Sequence, residues 1–454
     1  MKKVFGIAAV LLALAACNKI ETEKQVADKT GGIPFSATVS LGNNAATKAL
    51  AESGSTIAAT WAEGETVALI HNGVSDEMTV RSVSGGFATI TGTITGTPAD
   101  GDAVTIIYPS SAADGTTGNI KAELLYAQNG LLTGEGSISE NFDARKGSGT
   151  LKVDGTATLS GSVSLTNQFA IFKFTVRGAD GTTVISAKPL TITIGTQDYV
   201  ITPASAMDVL YAALPAVSEQ KVSFDATDGS DRTYTCAKLS ASFEAGKYYQ
   251  STLKMREYVD LGITVDGKKI KWATCNVGAS KPEDYGDYFA WGETSGYNSG
   301  KTNFSWTTYF DTSDGGTTFT KYATDKKTVL DFEDDAARAS WGGSWRMPTD
   351  EEWTWLLENC TWTWTDNYNG TGVAGRIVTS NVSGYKGNTI FLPAAGYRSN
   401  TYLYSAGSNG YYWSSSLAEG NSDYARFVFF ISGVMFRNLS SRNSGQSVRP
   451  VFSE

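Results

Sequence analysis

The sequence predicts a mainly β protein, with two tandem β-sandwich domains followed by an α+β domain. Short runs of alternating or β-branched residues, such as Ala88–Ile94 and Phe169–Val176, recur between Gly, Asp and Asn residues over the first 256 positions. Charged residues make up only 18% of the chain, and glycine occurs 48 times, as many short strands and turns require. Ten of the 11 tryptophans lie after residue 271, which marks a separate C-terminal domain.

Residues 1–17 are typical of a signal peptide. Two lysines precede an apolar run, Val4–Ala16, that is too short to span a bilayer stably. Residues 14–17, LAAC, are similar to a bacterial lipobox, in which the cysteine receives acyl chains such as palmitate. This resemblance implies that Cys17 is the lipid attachment site of an outer-membrane or cell-surface lipoprotein. A chance cysteine after small residues is the alternative.

The region between the signal peptide and the tryptophan-rich part divides into three pieces. Residues 18–32 are polar and are expected to form a flexible tether. We expect β-sandwich domains at 33–160 and 161–256, because the chain is rich in Gly, Ser and Thr around residues 154–164. The strand spacing favours sandwiches, and the pattern by itself leaves a barrel open.

Four motifs in this region occur in an order that resembles the fimbrillin-like pilin family of Bacteroidales. They are Trp61–Val67, Ile107–Pro109, Thr166–Phe174 and Ala245–Lys254. Members of that family are lipoproteins with two β-sandwiches in tandem. In its major pilins a protease removes an N-terminal strand, and a strand from a neighbouring subunit fills the groove. The resemblance implies other fimbrial subunits as partners and Lys48 as a candidate processing site. An ordinary exposed loop lysine is the alternative.

The clearest helix signal in the chain begins at Thr349. Thr349 and Glu352 have the spacing of a capping box, in which each side chain satisfies a free N–H group at the helix start. Trp353, Leu356 and Leu357 then follow at helical spacing and form one apolar face. The sequence therefore predicts a short helix that packs against tryptophan-rich strands.

The residues around this helix resemble the Fibrobacter succinogenes major paralogous domain, which is similar in fold to C-type lectin-like domains. The resemblance covers residues 257–454 and implies a lectin-like α+β domain whose first and last strands pair. The motifs that carry it are KWATCNVG (271–278), GDYFAWGE (286–293), GGSWRMPTDEEW (342–353), GYR (396–398), YWSS (412–415) and SVRPV (447–451).

Aromatic residues are concentrated in two long turn-rich segments, 294–325 and 361–411, and just beyond them. Their rings could stack on sugar C–H faces and form a glycan platform, or they could fill the core where regular structure is missing. No calcium-ligand motif of the lectins is present, so we expect no metal and no cofactor. The candidate ligand-binding residues are Tyr397, Tyr402, Tyr404, Tyr411 and Tyr412.

Three thiols remain once Cys17 is assigned to the lipid: Cys236, Cys275 and Cys360. A cell-surface location is oxidising enough for disulfides. Cys275 and Cys360 share the lectin-like domain, whose fold brings their chain segments together, so we predict a bridge between them. Two buried free thiols too far apart to bond are the alternative.

Composition and motifs together favour a surface adhesin over an enzyme. A net charge of −9 argues against a nucleic-acid partner, and with one histidine, His71, histidine-dependent catalysis is not expected. We expect a fimbrial tip or accessory adhesin whose C-terminal domain binds a glycan or surface glycoprotein. We expect the strand-like end, residues 448–452, to be used inside its own domain, so that the chain could accept a strand but not easily donate one from that end. The alternatives are a stand-alone glycan-binding lipoprotein and a carboxylate-based glycan-processing enzyme.

Overall fold

The computed structural model describes residues 31–41, 51–53, 56–58, 60–312, 314, 318–322, 325 and 327–453. Within these residues the chain is mainly β and contains two short α-helices. No helix in this part of the chain is long and apolar enough to cross a membrane. The first twelve strands are β1 (Gly32–Ser40), β2 (Ala51–Ser53), β3 (Thr56–Ala58), β4 (Thr66–His71), β5 (Val74–Ser84), β6 (Phe87–Thr95), β7 (Ala103–Tyr108), β8 (Ala127–Gln128), β9 (Arg145–Asp154), β10 (Thr156–Leu159), β11 (Val163–Ser164) and β12 (Thr166–Asn167).

Nine of these strands form the N-terminal sheet, in the order β10-β1-β6-β5-β4-β7-β9-β12, with β11 also beside β1. β1 lies antiparallel to β6 along its whole length and parallel to β10 and β11 on its other side. Because β10 also pairs with β9, the hydrogen-bonded path closes on itself. Strand β1, the first strand in the described residues, therefore completes this closed sheet.

The next eight strands form most of a second sheet, which we call the middle sheet. Its order is β16-β13-β19-β18-β17-β14-β15-β8, and β20 and a later strand extend it from β19. The short strand β8 joins it from the preceding region by pairing with β15, so the first two sheets are linked. The strands are β13 (Ala170–Gly178), β14 (Ala187–Ile194), β15 (Gln197–Ile201), β16 (Val209–Leu214), β17 (Val217–Asp228), β18 (Thr233–Phe243), β19 (Tyr248–Val265) and β20 (Lys268–Ala273).

Strand β19 runs without interruption through the position where the sequence suggested a junction, residues 255–259. Its first half is parallel to β13 up to Met255, and its second half is antiparallel to β20 from Tyr258 onward. Between them, residues 256–258 pair with β18. One 18-residue strand thus connects the middle sheet to the C-terminal region.

The C-terminal region, residues 268–453, is built from short strands and two helices. Its first and last strands pair, as expected, through Ile270 with Ser453 and Trp272 with Val451. Short strands also occupy nearly half of the segment 361–411, which the sequence pattern indicated to be turn-rich. The elements are α1 (Ala336–Trp341), α2 (Asp350–Asn359), β21 (Cys360–Thr365), β22 (Gly375–Ser380), β23 (Thr389–Pro393), β24 (Tyr397–Ser399), β25 (Tyr402–Tyr404), β26 (Gly410–Leu417), β27 (Tyr424–Phe430), β28 (Met435–Ser441) and β29 (Val451–Ser453).

Helix α2 begins with the predicted capping box. The backbone N–H of Glu352 donates to the Thr349 hydroxyl at 3.2 Å, and the Thr349 N–H donates to the Glu352 carboxylate at 2.8 Å. The same carboxylate accepts two hydrogen bonds from Arg346. Trp353 and Leu356 are fully buried, as predicted, while Leu357 is only partly buried. The helix is therefore fixed at its start by polar contacts and along one face by packing.

Candidate functional site

Three of the five predicted ligand-binding tyrosines lie on one small hairpin formed by β24 and β25. Tyr397 pairs with Tyr404 across the hairpin, and Tyr402 is opposite Ser399. Tyr402 is 64% exposed and Tyr404 is 42% exposed, whereas Tyr397 is partly buried beneath them. Large exposed side chains that lie next to one another are typical of an interaction surface.

The rings of this hairpin continue onto the neighbouring sheet, β26-β27-β28. The ring centroids of Tyr404 and Tyr397 are 5.4 Å apart, and those of Tyr397 and Tyr411 are 4.7 Å apart. Tyr411 in turn contacts Phe429 at 5.1 Å. The set, which we call the aromatic band, consists of Tyr397, Tyr402, Tyr404, Tyr411, Phe427, Phe429 and Phe436.

The far end of the aromatic band is the edge strand β28, which the search for ligand-binding residues missed. Phe436 is 43% exposed and lies 5.0 Å from the Phe429 ring, and Met435 and Leu439 on the same strand are also exposed. In this sheet β28 pairs only with β27. The available signal is the phenylalanine-rich strand pattern of residues 427–439, which indicates strands but does not show which face is exposed.

Tyr412 does not belong to the aromatic band and is corrected here to a core residue. It is fully buried, its hydroxyl donates to the Pro393 carbonyl at 2.8 Å, and the Asn276 amide donates to it at 3.2 Å. Because side chains alternate along a strand, Tyr411 and Tyr412 point to opposite faces of β26. The face that carries Tyr412 packs on helix α2, so this ring cannot reach a ligand.

Polar groups hold the aromatic band in place and border it. The guanidinium of Arg437 on β28 pairs with Asp350 in the first turn of α2 at 2.6 Å. The amide of Asn409 donates to the Tyr411 hydroxyl at 3.3 Å, and exposed Asn438 is opposite Phe427 in the ladder. Partial burial, together with the neighbouring phenols, raises the pKa of Tyr397, which therefore stays neutral at physiological pH. The surface offers uncharged aromatic faces with amide groups at their margin.

The predicted bridge between Cys275 and Cys360 does not form in the structure. Both are free thiols, as is Cys236. Cys360 packs among core residues such as Leu356 and Trp362, whereas Cys275 lines a cavity next to Arg256. The two thiols lie in different environments because α2 carries Cys360 into the core while Cys275 follows the end of β20.

The acidic cluster at residues 331–334 and the histidine His71 are engaged in structural contacts. Asp331, Glu333 and Asp334 lie close enough to share an ion, but Lys321 already contacts Glu333 at 3.0 Å and Asp334 at 2.8 Å. His71 ends β4 and is buried, with its ring nitrogen 2.8 Å from Asp102. This geometry supports packing and charge pairing.

The two predicted residues nearest the N-terminus, Cys17 and Lys48, lie outside the described residues. The structure does describe β1, which precedes Lys48 in the chain. Phe35, Ala37 and Val39 of β1 are buried in the core, between β6 on one side and β10 and β11 on the other. A cut after Lys48 would separate this core strand from the rest of the chain.

Comparison with known proteins gives likenesses only at the level of solved structures. No protein-family model matches the chain, and no curated protein matches it. A fimbrial assembly protein from Parabacteroides distasonis is 12% identical and covers 50% of this chain and 94% of its own, with a TM-score of 0.29. A fimbrial protein from Bacteroides ovatus is 13% identical and covers 93% and 99%, with a TM-score of 0.25. A candidate cell adhesion protein from Bacteroides fragilis is 13% identical and covers 51% and 95%, with a TM-score of 0.31. Likenesses this distant carry no argument about function, so we base the functional proposal on this chain's own geometry.

Proposed function

We propose that this protein is a cell-surface adhesin that binds a glycan or surface glycoprotein through the aromatic band. The observation that carries the proposal is the continuous set of contacting rings from Tyr402 to Phe436, exposed at both ends. A surface of this kind is costly in water unless a partner covers it.

The chemistry of the aromatic band suits a carbohydrate partner. Aromatic faces present a negative π surface to the slightly positive C–H faces of a sugar ring, and phenol hydroxyls exchange hydrogen bonds with sugar hydroxyls. Asn438 and Asn409 add amide groups that can both donate and accept. Neutral phenols and amides recognise sugars without a metal ion, so binding is expected to be independent of calcium.

The test of the adhesin proposal is binding by the chain from residue 18 onward, because β19 crosses the boundary of any isolated C-terminal fragment. We expect Tyr404→Ala and Phe436→Ala to lower binding to a glycan array or to matrix glycoproteins at least tenfold. The matched control is Tyr126→Ala, because Tyr126 is 40% exposed but lies in the N-terminal half. A chelator should leave binding unchanged. Equal binding by all three variants, or absence of binding by the unaltered chain, would refute the proposal.

We also propose that the protein accepts a strand at the position of β1 and terminates a fimbrium. Support comes from β1 itself, which is N-terminal to Lys48 and fills an apolar groove. The last strand, β29, is paired with β20 inside its own region and is not free to be donated. We expect this chain to receive a strand and not to donate β29 to a neighbour. Immunogold labelling of intact cells tests this proposal. Label at filament ends would support a fimbrial tip, whereas uniform label over the cell surface would favour a stand-alone lipoprotein.

The anchor is proposed at Cys17, as the lipobox resemblance implies. The Cys17→Ser variant is expected to lose incorporation of radiolabelled palmitate and to leave the membrane fraction. Unchanged labelling and unchanged membrane retention in this variant would remove the lipoprotein from the proposal.

A further inference from the structure

A cavity of about 370 Å³ lies where β19 passes from the middle sheet into the C-terminal region. Its walls come from both sides of this passage: residues 178–185, which follow β13, and residues 274–282, which follow β20. Arg256 and Glu257 lie on β19 between the residues that pair with β13 and the residues that pair with β20. The cavity shares no lining residue with the aromatic band.

The guanidinium of Arg256 is the main charged group of this cavity. Its central carbon is 4.0 Å from the centroid of the Trp341 ring, so the indole covers one face of the cation. No hydrogen-bond acceptor or carboxylate among the described residues pairs with its N–H groups. Burial lowers the pKa of Arg256 to about 10, so the group is charged at neutral pH. A partly buried cation with a free planar edge is suited to a bidentate anion.

The other charges of the cavity limit the kind of anion that it can hold. Lys281 adds a second cation that pairs with no carboxylate in the described part of the chain. Arg232 also lines the cavity, but its guanidinium is already paired with Asp228 at 2.7 Å. The carboxylate of Asp180 is already occupied by the N–H groups of Thr182 and Thr183. Glu257 is therefore the lining carboxylate without a hydrogen bond of its own among the described residues. A ligand with a carboxylate at one end can pair with Arg256, and its neutral hydroxyl groups can donate hydrogen bonds to Glu257. Phosphate carries negative charge on all sides, so the Glu257 carboxylate would repel it.

We propose that this cavity binds a sugar acid, with the ligand carboxylate on Arg256 and ligand hydroxyls toward Glu257. The volume is within the range of roughly 300–1,000 Å³ that small-ligand sites occupy. The lining includes the hydroxyl groups of Thr183, Tyr234 and Thr274. Each donates to an acceptor inside the protein, so each can accept a hydrogen bond from a ligand hydroxyl, which favours a polyhydroxylated acid over an apolar one. Uronic acids and nonulosonic acids such as N-acetylneuraminate share this chemistry.

The test is calorimetric titration of the chain from residue 18 onward with glucuronate, N-acetylneuraminate, glucose and inorganic phosphate, each alone. We expect at least one sugar acid to bind at least tenfold more tightly than glucose and phosphate. Arg256→Gln should lower that affinity at least tenfold, and Arg256→Lys should lower it less. The control is Arg81→Gln, an exposed arginine of the N-terminal sheet, which should bind like the unaltered chain.

Several outcomes would overturn the assignment. They are absence of binding by both sugar acids, equal binding of glucose or phosphate, and unchanged affinity in a folded Arg256→Gln variant. If that variant fails to fold, the ligand comparison on the unaltered chain still decides. A disaccharide that ends in glucuronate separates the two sources: tighter binding than the free acid identifies a glycan end, and weaker binding identifies a free sugar. Tyr404→Ala should leave glucuronate binding unchanged. The cavity is thus tested independently of the proposal that the aromatic band binds a glycan.

Discussion

The N-terminal and C-terminal halves of the molecule bury their interiors in different ways. From Phe35 to Met255, the buried apolar side chains form one continuous cluster, in which Val, Ile, Leu, Ala and Phe from long strands predominate. After residue 260, the buried residues form four smaller clusters rich in Trp and Tyr. Eleven of the twelve largest fully buried side chains in the described chain belong to this second half. Long paired strands can bring small aliphatic side chains together, whereas short elements need large side chains that reach across gaps.

The arginines without exposed surface show the same difference, because among the described residues they lie in the C-terminal half, whereas Arg145 of the N-terminal half keeps 8% exposure. Arg442 is fully buried and pairs with fully buried Asp311 at 2.5 Å. Arg449 is also fully buried, and it donates to the carbonyls of Ala273, Thr274 and Phe391 instead of to a carboxylate. These side chains satisfy backbone groups that the irregular segments leave unpaired. In the C-terminal half, buried side chains therefore supply hydrogen bonds to backbone carbonyls. In the N-terminal half, most backbone groups pair with each other in long strands.

The largest effect is expected from removing β1, which would break the continuous core of the N-terminal half. Deletion of residues 18–48 removes buried Phe35 and Val39, whose burial is worth ~3–6 kcal/mol together. We expect a lower melting temperature and association through the opened groove, measured by calorimetry and size-exclusion chromatography. Deletion of residues 18–30 keeps β1 and is the control. A shorter chain that stays monomeric with unchanged melting would argue against strand acceptance.

The next largest effect is expected from separating a buried charge pair in the C-terminal half. Arg442→Met leaves Asp311 buried without its partner and should lower the free energy of unfolding by ~3–5 kcal/mol. Arg177→Met breaks the partly exposed pair with Asp208 in the N-terminal half, so a loss of only ~0–1 kcal/mol is expected. Denaturant titration of both variants measures the difference. Similar losses of unfolding free energy in the two variants would contradict the expectation that the buried pair contributes more than the partly exposed pair.

A smaller difference in the free energy of unfolding is expected between variants of two adjacent residues on β26. Tyr412→Phe removes a buried hydroxyl that bonds to Pro393 and Asn276, at a cost of ~1 kcal/mol. Tyr411→Phe removes only the 3.3 Å contact with the Asn409 amide, and we expect less than ~0.5 kcal/mol. Urea titration checks the order. A greater loss for Tyr411→Phe would show that the faces of this strand are reversed.

The smallest change is expected when the cysteines are treated with oxidant or reductant. Burial raises the pKa of the Cys236 and Cys360 thiols to about 12, so both remain protonated and react slowly in the native protein. The melting temperature of the chain from residue 18 onward should not depend on reductant. Iodoacetamide should label all three thiols after denaturation without reduction. A linked peptide that contains Cys275 and Cys360 would contradict the free thiols.

Local patterns in the sequence were sufficient to predict the elements that depend on neighbouring residues. The Thr349–Glu352 capping box and the apolar face that begins at Trp353 predict helix α2, because both involve contacts within a few positions. Alternation and turn residues predict a mainly β chain for the same reason. The prediction that the first and last strands of the C-terminal region pair came from the family resemblance. No local signal encodes the contact between Trp272 and Val451, which lie 179 positions apart in the chain.

The tertiary structure decided which side chains face outward and which distant groups meet. In a strand, a shift of one residue exchanges the two faces, so the sequence could not tell that Tyr411 joins the aromatic band while Tyr412 enters the core. The approach of Phe436 to Phe429, and of Arg256 to Trp341, depends on how whole elements pack. Composition and short-range pattern thus determined the mainly β fold class and helix α2. The positions of the aromatic band and the Arg256 cavity required the long-range strand register and the packing of helix α1, because these bring residues far apart in the chain together.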